Sequence, residues 1–102
     1  MMDIAQIRDV LVEVLSASAR FPALRPMGLI KYPKRQLQVA ELPDGTVLAT
    51  LFYRYKNRSP SPVDTEMVRL TLNALLPNGL YVFAVEDLKN HIQIYIRRYT
   101  LL

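Results

Sequence analysis

Pro43-Asp44-Gly45 stands between two runs of alternating apolar and polar residues, and this tripeptide constrains the fold more than any other feature of the chain. A three-residue connection with glycine in the left-handed position is a hairpin signal. Setting Leu42 opposite Thr46 puts Val39 opposite Ala49 and Leu37 opposite Leu51, so the register follows from the turn. In this hairpin, spanning residues 37–56, Val47, Ala49, Leu51, Tyr53 and Tyr55 share the inward face. Leu48, Thr50, Phe52, Arg54 and Lys56 share the outward one, which is unusually apolar for a surface.

The segments on either side change period. Ile4, Ile7, Leu11, Val14 and Leu15 recur at helical spacing behind an Asp3/Gln6 capping box, which predicts a helix over 3–19. Phe21-Pro22 ends it, since a residue before proline is pushed out of the helical region. Residues 20–36 then read as an irregular basic crossing. Ser61-Pro62 with Asp64 opens a second helix, over 62–76, that Pro77-Asn78-Gly79 stops. Residues 80–100 form a second hairpin, with a short strand Leu80 to Val85, a turn over Glu86 to Asn90, and a long strand in which Ile92, Ile94 and Ile96 alternate with polar and aromatic residues.

The order α-β-β-α-β-β implies one α+β domain: an antiparallel four-stranded sheet with two helices on one face. The second helix has a narrow polar stripe of Glu66, Arg69 and Asn73. Val63, Met67, Leu70 and Ala74 lie on one side of it, and Val68, Leu72, Leu75 and Leu76 on the other. A helix apolar over so much of its circumference touches more than the sheet. The first helix is the expected neighbour; the alternative is that Val68, Leu72 and Leu76 meet another subunit.

Catalytic classes find little support. The 102 residues include no cysteine, so thiolate metal sites, thiol catalysis and disulfides are excluded. With only Gly28, Gly45 and Gly79, neither the P-loop nor the dinucleotide fingerprint can be written. The single histidine, His91, follows Glu86 and Asp87, but acids flanking a turn are ordinarily solvated, so an acid/base or metal site there is disfavoured. No enzyme activity, cofactor or metal is expected. No export signal or membrane span is legible, so cytoplasmic residence is the expectation.

A binding function fits the outward sheet face. Phe52, Arg54 and Lys56 from one long strand would lie beside Tyr95, Arg97 and Tyr99 from the other, joined by Tyr81 and Phe83 or by Leu80 and Val82. Rings among cations stack unpaired bases and neutralise phosphates. Lys31, Lys34 and Arg35, with Tyr32 and Arg25, add a second basic stretch. The expected partner is therefore nucleic acid, engaged by a small non-enzymatic module. The alternative is a homo-oligomeric structural or adaptor subunit that buries the same face against protein, since Tyr and Arg are enriched in both kinds of interface. Pairing of the two long strands would place Arg54 near Arg97, which calls for an anion between them.

Overall fold

The computed structural model describes residues 2–17, 36–52, 64–88 and 91–100. Helix α1 spans Ile4–Ser16. Its capping box is formed in both directions: the Gln6 backbone N–H donates to Asp3 Oδ1 at 2.8 Å, and the Asp3 N–H donates to Gln6 Oε1 at 2.9 Å. The helix closes at Ala17, and positions 18 and 19 of the expected helix lie outside the described residues. Ile7, Leu11 and Leu15, one stripe at helical spacing, face the core.

Strands β1 (Leu37–Glu41) and β2 (Val47–Phe52) pair in the register set by the turn, with Leu37 opposite Leu51 and Val39 opposite Ala49. The turn holds because Gly45 sits at φ 88°, the Gly45 N–H donates to the Leu42 carbonyl at 2.9 Å, and the Leu42 N–H donates to the Thr46 carbonyl at 2.8 Å. Asp44 Oδ1 accepts the Thr46 N–H at 2.9 Å and fastens the turn further.

Helix α2 spans Thr65–Leu75, a shorter element than the 62–76 expected. Asp64 is the N-cap and accepts the Met67 N–H at 3.1 Å. Ser61 and Pro62 lie outside the described residues. Strand β3 runs Leu80–Asp87, so Glu86 and Asp87 extend the strand instead of turning the chain. Strand β4 runs His91–Arg98.

The four strands order as β1-β2-β4-β3, all antiparallel, with β4 between β2 and β3. Ile92, Ile94 and Ile96 of this central strand have no exposed surface, and together with Val47, Ala49, Leu51 and Val82 they meet the apolar stripes of both helices in one core. Complete burial of each of these isoleucines stabilises the fold by about 1.5–3 kcal/mol.

The helix α2 faces correct the expectation of a subunit interface. Val68 and Leu72 are fully buried and Leu76 is 9% exposed, all within a single copy of the chain. An interface with another subunit cannot be built from side chains already enclosed by their own sheet. The apolar residues that α2 does expose are Met67 and Leu70, at 48% and 49%. Asn73, grouped from sequence with the solvated stripe, is half-buried and holds strand β3. Its Nδ2 donates to the Val82 carbonyl at 2.9 Å, and its Oδ1 accepts the Val82 N–H at 2.8 Å. Among the described residues no helix is long and apolar enough to cross a membrane.

Candidate functional site

The sheet face away from α1 and α2 carries Leu48, Thr50 and Phe52 of β2, His91, Gln93, Tyr95 and Arg97 of β4, and Tyr81, Phe83 and Glu86 of β3, all of them exposed or half-buried. Tyr81 and Phe83 therefore join this face, while Leu80 and Val82 go to the core. A bulge between Val82 and Ala84 leaves Phe83 as the extra residue on β3.

The rings do not form one continuous patch. Phe83 packs beside Tyr95 with ring centroids 6.0 Å apart, and the Arg97 guanidinium lies 4.5 Å above the Phe83 ring. This first cluster belongs to the β3–β4 hairpin, where Tyr81 is directly opposite Arg97. Phe52 belongs to a second cluster: it is opposite His91, ring centroids 5.5 Å apart. Arg97 is six positions along β4 from His91, a distance of about 20 Å.

Arg54, expected near Arg97 if the two long strands pair, lies outside the described residues, and the ladder shows what does lie beside Arg97. The two strands do pair, and their register brings the hairpin turn, with Asp44 and Thr46, alongside Arg97, and places the C-terminal end of β2 at the start of β4. The Asp44 carboxyl is held below its ordinary range, first by the Thr46 backbone N–H and hydroxyl and further by the charge of Arg97. Arg97 thus already has a carboxylate nearby. The Tyr95 hydroxyl donates to Gln93 Oε1 at 3.0 Å, and burial together with the neighbouring Glu86 carboxylate pushes its pKa up, so it stays neutral.

Arg97 is the one Lys or Arg on this face among the described residues. Arg98 faces the helical side, where it pairs with Glu41 and donates to the Met2 carbonyl at 3.3 Å. Arg69 forms a two-pronged pair with Glu66, at 2.9 and 2.5 Å. Tyr99 follows β4 and is 40% exposed. Arg54, Lys56, Lys31, Lys34 and Arg35 lie outside the described residues. The acids near His91 diverge: Glu86 is level with Gln93 on the outer face and Asp87 with Ile92 on the inner one. Among the described residues no three His, Asp or Glu side chains gather in a metal-binding group.

Comparison with known proteins found no matching family model, and no significantly similar curated protein or solved structure. The functional reading therefore rests on this chain's own chemistry.

That chemistry is segregated along the sequence. Nine of the 13 Lys and Arg fall in 18–35, 53–63 and 89–90, stretches that contain no acid, and all nine Asp and Glu lie elsewhere in the sequence. The described residues at the borders of these stretches converge. Gln36, which follows the first stretch in sequence, donates through Nε2 to the carbonyl of Phe52, which precedes the second, at 2.9 Å. Phe52 pairs with His91, and the Leu88 N–H donates to the His91 carbonyl at 2.9 Å around the third. Gln36, Phe52, Leu88 and His91 thus lie together at one end of the sheet, opposite the end that holds Asp44 and Arg97.

Proposed function

We propose that this chain is a non-enzymatic module that binds single-stranded nucleic acid, or another extended polyanion, at the Phe52–His91 end of its sheet. The observation that supports the reading is that Gln36, Phe52, Leu88 and His91, which border three acid-free stretches of sequence with nine Lys and Arg among them, lie together at one end of the sheet. Arg54, Lys56, Lys31, Lys34 and Arg35 are the cations assigned to phosphate, and Phe52 is the ring assigned to a base. Lys and Arg on phosphates release counterions, so binding is steeply salt-dependent, and a stacked base adds about 1–3 kcal/mol.

The test is anisotropy of a labelled single-stranded oligonucleotide. With four phosphate contacts, raising salt from about 50 to about 200 mM should weaken binding about 50-fold. Binding that is absent at low salt, or unchanged over that range, contradicts the reading.

A second reading has its own observation. Around Phe83, Tyr95 and Arg97 the acids Glu86 and Asp44 oppose phosphate but suit protein. Under it, this β3–β4 cluster is a protein contact and self-association of the chain runs through it. Tyr81→Asp, at an exposed position, should then lower the sedimentation coefficient with circular dichroism unchanged; an unaltered coefficient contradicts it.

A further inference from the structure

Glu66 holds Arg69 and Glu41 holds Arg98, whereas Arg97 and Glu86, on the outer sheet face, have no ion pair among the described residues. Both are exposed. Arg97 lies over the Phe83 ring and near Asp44, whose carboxyl accepts from Thr46 instead, and Glu86 neighbours the Tyr95 hydroxyl. Glu86 is level with Gln93 of β4, so the two charges stand four positions apart along the ladder, about 13 Å. Midway between them is the level of Tyr95, opposite Ala84, with the Phe83 ring packed against Tyr95. The patch therefore reads cation, rings, anion along the strand direction. Such an order matches itself when turned end for end.

We infer that the β3–β4 patch closes face to face on the same patch of a second copy, with Arg97 of each chain paired to Glu86 of the other. The two-fold axis runs across the strands at the level of Tyr95, which reverses the strand direction and brings each charged end over its opposite. Packed sheets lie about 10 Å apart, a gap that an arginine and a glutamate reaching from either side can span. The rings of Phe83 and Tyr95 fill the middle, and the two ion pairs stand at the rim, the ordinary anatomy of a protein interface. The occupant is a second copy because the charge order is complementary to itself: each unpaired ion finds its counter-ion in the same contact, and a two-fold contact closes at two. A polyanion laid on this face would satisfy Arg97 and set phosphate against Glu86. The inference rests on the second reading above, in which this cluster carries self-association, and adds to it the pairing that fixes the orientation.

Sedimentation equilibrium of the full chain tests the contact. The wild-type mass should rise with concentration from 11.7 kDa toward twice that value. Glu86→Arg and Arg97→Glu, both at exposed positions, each set like charges against one another twice across the axis, and each should weaken self-association by more than about 100-fold with circular dichroism unchanged. Mixed in equal amounts, the two variants should form a dimer again, because both contacts are then between opposite charges. A wild-type mass that stays at one chain overturns the inference together with the reading it rests on. Self-association that Tyr81→Asp weakens, but that the single charge variants leave intact or their mixture fails to restore, overturns the inference alone.

Discussion

Asn73→Ala should lower the unfolding free energy by about 2 kcal/mol, a large effect for a residue that looks like surface in the sequence. The substitution removes two hydrogen bonds and leaves unpaired the N–H and carbonyl of Val82, a residue with no exposed surface beside the half-buried Asn73. A stranded buried donor or acceptor costs about 1–3 kcal/mol, and partial access of water moderates the sum. Asn73→Asp should fall between wild type and Asn73→Ala, since a carboxylate accepts the Val82 N–H but cannot donate to its carbonyl. Denaturant unfolding of the three proteins gives the order directly. An Asn73→Ala protein as stable as wild type would remove the role assigned to this side chain at the β3 edge.

Leu72→Ala should cost about 3 kcal/mol, whereas Leu70→Ala, two residues away on the same helix, should change stability by less than about 0.5 kcal/mol. Leu72 has no exposed surface and its truncation leaves a cavity under the sheet; Leu70 is 49% exposed. In a domain of this size the first change corresponds to a fall in Tm of about 15 °C. Equal effects at the two positions would contradict the orientation of α2, and a larger effect at Leu70 would reverse it.

Much of the fold is legible in the sequence because its strongest signals are local. The capping box at Asp3, glycine after Pro43-Asp44, and the alternation of Ile92, Ile94 and Ile96 each act within a few residues, and each specifies an element without help from the rest of the chain. The pairing of β2 with β4 is one of two arrangements the sequence leaves open, since a terminal strand that outruns its hairpin partner finds a second edge either in its own sheet or in a neighbouring subunit, and the structure has the internal one. The orientation of α2 is not legible. Its apolar residues ring most of the helix, so the period alone does not choose between the Val68–Leu72 side and the Met67–Leu70 side, and only contact with the sheet does.

The candidate site is less legible for a related reason. Alternation correctly sends Phe52, Tyr95 and Arg97 to one face, but a face is not a neighbourhood. Position along the ladder separates Phe52 from Arg97, and that depends on the direction in which β4 enters beside β2. Asn73 is missed because its partner, Val82, lies nine residues away with no spacing rule connecting the two. The proposed polyanion site draws on both sources: the sequence supplies the acid-free basic stretches, and the Gln36–Phe52 and Phe52–His91 contacts bring their bordering residues together.

The central claim is thus one of location, and amide chemical shifts test it most directly. Titrating the labelled protein with a single-stranded oligonucleotide at low salt should move the resonances of Gln36, Phe52, Leu88 and His91 while leaving those of Asp44, Gly45 and Arg97 in place. Shifts confined to the Asp44–Arg97 end, or no shifts at all, would contradict the account.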